Sequence, residues 1–145
     1  MLYSPILSFI RLTILVPWIT TISFCQFIVL CFSKRFFFVF YKFLFFGIRK
    51  IFGIKLKVSG EQEAKKVMFI SNHISYLDII ILGSVVNAVF VAKSEIRNWP
   101  IINKLCMLGK TIFIERENRR SVKKQALLIK ENMENGLNVI LFPEG

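Results

Sequence analysis

From Leu12 to Phe32 the chain reads LTILVPWITTISFCQFIVLCF, 21 residues without one charged side chain. At 1.5 Å per residue, a helix of that length covers about 30 Å, the thickness of a bilayer's hydrocarbon core. Pro17 would kink a helix in water but is tolerated in a membrane span. The rival is a cleaved signal peptide. Its apolar core is shorter and closes on small residues, whereas this run ends in FSKRFFF. The next segment, FFFVFYKFLFFGI at 36–48, is apolar on every side except at Lys42. Thirteen residues are short for a span and suit an interfacial or re-entrant segment. A very hydrophobic core helix of a soluble domain is the alternative reading of both.

Composition supports the membrane. The 145 residues are 54% hydrophobic, above the 45–50% or so of ordinary soluble domains. The net charge is +11, unevenly spread. Residues 1–60 carry eight Lys and Arg, no acid and twelve of the sixteen Phe; residues 61–145 are only +3. Basic charge mixed with aromatics fits single-stranded nucleic acid or an anionic membrane surface. Because the excess lies inside lipid-sized apolar runs, nucleic acid is set aside as a partner. Flanking Lys and Arg place the anchor's basic side at the cytoplasmic face of the inner or plasma membrane. Cys25, Cys31 and Cys106 show no metal-ligand or paired spacing, so a reduced, cytoplasm-facing chain without a metal site is expected.

After residue 53 the texture changes. IKLKV (54–58) alternates strictly and predicts a half-exposed strand, while VMFI (67–70) predicts a strand covered on both faces. YLDIIILGSV (76–85) suits a helix capped by Ser75. AVFVA (88–92), TIFIE (111–115) and NVILF (138–142) read as strands. PIINKLCML (100–108) opens on Pro and stops before Gly109, as a helix does. Val122, Ala126, Ile129 and Met133 recur at helical spacing, with Ser121 to cap and Gly136 to terminate. Strands alternating with single helices predict an α/β fold with a mostly parallel sheet and flanking helices. The expected organisation is a membrane anchor over 1–53 (span about 12–32, interfacial segment about 36–48) followed by an α/β domain over 54–145.

Ligands of such sheets gather beyond the carboxyl ends of the strands. Polar groups leave the predicted strands there: Asn72, His73 and Asp78 after one, Arg116 after another, Glu144 and Gly145 after the last. His73 is the only histidine and Asp78 the only aspartate of the chain. An imidazole titrates near neutral pH and accepts a proton from an alcohol; a carboxylate on its second nitrogen fixes the tautomer. With no serine partner, such a pair activates a substrate hydroxyl. An Arg at 116 offers a planar fork for phosphate or carboxylate, and amides near Gly145 can cradle an anion. Taken singly, the histidine also suits a structural role, Arg116 in ERENRR a solvated charge cluster, and Pro143-Glu144-Gly145 an ordinary turn. Their joint order carries the reading. No Gly-x-Ser-x-Gly elbow exists, which sets aside a serine hydrolase.

NHISYLD (72–78) resembles the N-H-x4-D box of the glycerolipid acyltransferases, the family of 1-acyl-sn-glycerol-3-phosphate (lysophosphatidic acid) acyltransferases. GKTIFIER (109–116) resembles that family's second box, built on glycine, phenylalanine and arginine. FPEG (142–145) resembles the start of its third, Phe-Pro-Glu-Gly-Thr-Arg. VAKSEIRNWPIINKL (91–105) is similar to the segment that leads to the second box, and the hydrophobic N-terminus to the family's usual anchor. The resemblance covers about 55–145. It implies that His73 is the general base and Asp78 its orienting partner. It implies further that Arg116, with Glu144 and Gly145, holds the acceptor phosphate, and that Asn72 and Gly109 support the site. The reaction implied is O-acyl transfer from acyl-CoA or acyl carrier protein to a lysophosphatidate hydroxyl, giving phosphatidic acid, with membrane lipids as partners and neither cofactor nor metal. No covalent acyl-enzyme is expected.

The third box breaks off after its glycine. The expectation is therefore a truncated acyltransferase domain whose C-terminal part is absent, inactive or feeble by itself. The alternatives are a related acyltransferase for glycerol 3-phosphate, another lyso-lipid or an amino-acid lipid, and an inactive membrane-anchored fragment.

Overall fold

The structure, a computed structural model, describes residues 4–32, 37–61, 66–115 and 122–143. It divides into two compact units, Met1–Ser59 with Tyr76–Val86, and Gly60–Ser75 with Asn87–Gly145.

The first unit is helical: α1 (Pro5–Phe32), α2 (Phe37–Ile51) and α3 (Tyr76–Val85). α1 starts before the uncharged run, because Ser4 receives the first free amides, from Leu7 on its hydroxyl at 3.4 Å and from Ser8 on its carbonyl at 3.0 Å. Pro17 stays inside the helix. The Thr20 hydroxyl donates to the carbonyls of Val16 and Pro17, both at 3.0 Å. Two glycines seat rings of the neighbouring helix. A Cβ at Gly47 would overlap the Trp18 indole, whose N–H donates to the Leu44 carbonyl at 3.2 Å, and a Cβ at Gly83 would overlap the Phe45 ring. Small residues of this kind let helices approach closely. The inward face of α2 carries Phe37 and Tyr41, whose rings stack at 5.4 Å. Its outward face is apolar as well, with Val39, Phe43 and Phe46 exposed. α1 is long and apolar enough to cross a membrane by length and composition.

The second unit holds a four-stranded parallel sheet of β1 (Met68–Ile70), β2 (Ala88–Lys93), β3 (Ile112–Ile114) and β4 (Asn138–Leu141), in the order β1-β4-β2-β3. A 3₁₀ turn (Ser94–Asn98) and α4 (Pro100–Leu108) link β2 to β3; α5 (Val122–Glu134) links β3 to β4. Phe69 and Phe90 are both in register with Ile140, and Met68 and Val89 with Val139, so equivalent side chains lie in rows across the sheet. Asn138, itself buried, ties three segments together. Its carbonyl accepts from the Val67 amide at 3.0 Å and its amide donates to the Asn87 carbonyl at 3.1 Å.

The α/β class and the parallel sheet follow the sequence pattern; two local expectations do not. Residues 54–58 form no strand. The Ile54 amide bonds to the Arg49 carbonyl at 3.0 Å, and the Arg49 guanidinium donates to the Ile54 carbonyl at 3.4 Å. The segment is thus tied back to the end of α2, and among the described residues no strand lies beside it. β1 is not covered on both faces: Ile70 is 65% exposed, against 0% for Val89 and Val139 at the sheet centre. β1 is an edge strand, and a continuous apolar run does not reveal that. α4 does stop before Gly109, as its sequence predicts, and the left-handed residue is Lys110 (φ 51°), one place further on. Gly109 keeps φ −80° and serves as the C-cap.

Candidate active site

All four strands are parallel, so their carboxyl ends share one edge of the sheet. The Ser71 amide donates to the Leu141 carbonyl at 3.2 Å, which holds the exits of β1 and β4 together for one residue beyond the ladder. Two residues later, His73 lays its imidazole almost parallel on the Phe142 ring, at 4.3 Å between centroids and 22° between planes. Phe142 is 4% exposed and stacks in turn on Phe90 at 6.0 Å and 14°. The result is a column of three rings at the carboxyl edge, its half-buried imidazole outermost. Asn72 is exposed, and its carbonyl accepts from the Ser71 hydroxyl at 3.1 Å.

Asp78 lies in the first turn of α3, half-buried, within the helical unit. The division between the units falls between Ser75 and Tyr76, inside the five-residue step from His73 to Asp78. Gly109 is buried at the end of α4, its amide directed at the Leu105 and Met107 carbonyls. Next to it the Cys106 thiol is pushed up in pKa by burial, partly offset by a hydrogen bond with Thr111. Arg116, Glu144 and Gly145 lie outside the described residues. The chain reaches the first of them from Glu115, whose carbonyl accepts from the Gln125 amide at 2.6 Å and so ties the exit of β3 to α5. Among the described residues, no three His, Cys, Asp or Glu gather where they could hold a metal ion.

Two residues that the sequence did not single out matter here. Phe142 had a faint signal, as the first residue of FPEG. Asn138 had none, since a buried, fully bonded Asn looks in sequence like a turn residue.

A parallel α/β unit with a histidine at the carboxyl edge of its sheet defines a broad class of ligand-handling folds. The Acyltransferase family model matches residues 55–145, and the chain belongs to that family. It is 40% identical over 96 residues to a lyso-ornithine lipid O-acyltransferase of Rhizobium meliloti, covering 66% of this chain and 33% of that one. It is 33% identical over 92 residues to a 1-acyl-sn-glycerol-3-phosphate acyltransferase of Neisseria gonorrhoeae, covering 63% and 36%. A plant enzyme of the latter name, from Limnanthes douglasii, is 32% identical over 99 residues, covering 66% and 35%. The chain thus matches about a third of the length of these curated relatives. No solved structure matches it.

Proposed function

We propose that this protein transfers a fatty acyl group from acyl-CoA or acyl carrier protein to the free hydroxyl of 1-acyl-sn-glycerol 3-phosphate, yielding phosphatidic acid. The observation that supports this most is the placement of the sole histidine at the carboxyl edge of the sheet, against the first residue of FPEG. In this reading, His73 accepts the hydroxyl proton as the oxygen attacks the thioester carbonyl. The C–S bond then breaks and the proton passes to the departing thiolate, with no acyl group left on the protein. Asp78 steadies the imidazolium from the second ring nitrogen. Arg116, Glu144 and Gly145 take the acceptor phosphate, and Asn72 and Gly109 hold the loops around them. Residues 1–53 act as the membrane anchor, facing the cytoplasm, and 54–145 belong to the acyltransferase domain.

A second acceptor, a lyso-ornithine lipid, is favoured by the 40% identity to the Rhizobium meliloti protein. The two acceptors differ in chemistry: one offers a phosphate to the Arg116 guanidinium, the other an ornithine head group. The test is acceptor profiling with the full-length protein in detergent, beside His73→Ala and Arg116→Ala. Loss of the base should lower kcat by about 10²–10⁴. Loss of the arginine should chiefly raise KM for lysophosphatidate. Turnover at the wild-type rate in His73→Ala ends this reading, and a preference for lyso-ornithine lipid moves it to the second acceptor.

A further inference from the structure

We infer that Phe142 is a positioning residue for the His73 imidazole, a role that rests on the reading of His73 as the proton acceptor. β1 and β4 are neighbours in register, Ile70 beside Leu141, and the Ser71–Leu141 hydrogen bond prolongs that pairing to the point where both strands leave the sheet. His73 then follows on a short turn. A turn alone leaves an imidazole several staggered orientations about its side-chain torsions. The Phe142 ring restricts them, since the imidazole lies against its face at 4.3 Å and 22°.

Phe142 is well placed to do this. It is buried, it leaves β4 directly, and the Phe90 ring stacks on it at 6.0 Å and 14°. Phe90 is itself buried on β2, in register with Ile140 of β4. The imidazole therefore rests on a surface fixed by two strands of the sheet.

The stack has a second consequence. An aromatic face carries negative charge density and attracts a cation within about 6 Å of its centroid. The imidazole becomes an imidazolium when it takes the hydroxyl proton, so the Phe142 face stabilises the state that forms during attack more than the resting one. An interaction stronger in the transition state than in the ground state acts on kcat. Loss of the ring should therefore lower kcat and leave the acceptor KM near its starting value.

The experiment uses the full-length protein in detergent and two readouts. Since His73 is the only histidine of this chain, its ring resonances, in ring-labelled protein, identify the imidazole once any histidine outside these residues is accounted for by His73→Ala. In Phe142→Leu, the His73 C–H signals should lose the upfield displacement of a stacked ring, and kcat should fall by about 10- to 100-fold, the scale of a displaced catalytic group. Phe142→Tyr keeps a ring at the same place and should retain both. Phe90→Leu removes the ring stacked on Phe142 and leaves Phe142 itself in place; it should lower the Tm and affect the His73 signals and kcat less than Phe142→Leu does. Phe142→Met, nearer in length to the native side chain, serves if the leucine variant does not fold. Unmoved His73 signals in Phe142→Leu overturn the inference, as does an equal fall of kcat in Phe90→Leu and Phe142→Leu. Wild-type turnover in His73→Ala would instead remove the catalytic reading, while displaced signals in Phe142→Leu would still record the stack.

Discussion

The helical unit and the sheet unit dispose of apolar surface in opposite ways. In the sheet unit Val89, Val139 and Ile140 are fully buried at the centre, and the exposed apolar residues lie away from it, on the edge strand and the flanking helices, Ile70, Ile101 and Leu127 among them. In the helical unit the same residue types face outward. Phe24 is 64% exposed on α1, and Phe9, Phe27 and Phe32 on the same helix are exposed too. What α1 and α2 bury is mostly the seam between them, organised by Trp18 over Gly47. A water-soluble unit arranged this way would present large apolar patches, which proteins in water seldom do. The contrast fits the proposed anchor, whose outward phenylalanines meet lipid, and a second unit whose core is the centre of its sheet.

Substitutions at the centre of the sheet should cost the most. Ile140→Ala should cost about 2–5 kcal/mol, as removal of a fully buried aliphatic chain does, measured by thermal or denaturant unfolding in detergent. Phe24→Ala should change that stability by under about 0.5 kcal/mol and act instead on retention in lipid vesicles. Equal costs would show that the two units do not differ as described. Asn138→Ala should come next, at about 1–3 kcal/mol, because it strands the Val67 amide and the Asn87 carbonyl that the side chain now serves. Gly47→Ala should cost about 1–3 kcal/mol through overlap with the Trp18 ring, and Gly47→Ala with Trp18→Leu should recover part of it.

Gln26 sharpens the contrast from the other side. It is buried in the helical unit, and among the described residues neither of its amide atoms has a hydrogen-bond partner. Gln26→Leu should therefore stabilise that unit by about 1–2 kcal/mol, since it removes a desolvated group that nothing offsets. The smallest effect is chemical. Burial pushes the Cys106 thiol up, and the Thr111 hydrogen bond pulls it partly back. In a Cys25→Ser, Cys31→Ser background, alkylation should therefore begin at higher pH than for an ordinary thiol. Thr111→Val should move the onset higher still.

Much of this was legible in the order of residues. A run of 21 uncharged residues can only be a long apolar helix once its backbone must satisfy itself, and α1 contains all of it. Pro100 and Gly136 marked helix ends because their backbone constraints are local, and both stand where a helix starts or stops. Three ordered boxes pointed to the family. Where the reading failed, the missing information was non-local. IKLKV alternates as a strand does, but alternation encodes only which side chains face outward; a strand also needs a neighbour, and this segment bonds back to Arg49 instead. VMFI looked doubly covered because apolar composition does not say whether a strand lies at the centre of a sheet or at its edge.

The division follows from what each level can encode. The chain alone settled its anchor-like helix, its alternation of strands and helices, its family and the rarity of His73 and Asp78, all of which depend on neighbours in sequence or on composition. Only the tertiary structure decided that β4, last in sequence, inserts between β1 and β2. That insertion sets Phe142 beside His73, 69 residues apart along the chain. A pairing across such a distance is chosen by which strands bury each other best, and no local pattern of residues carries that choice.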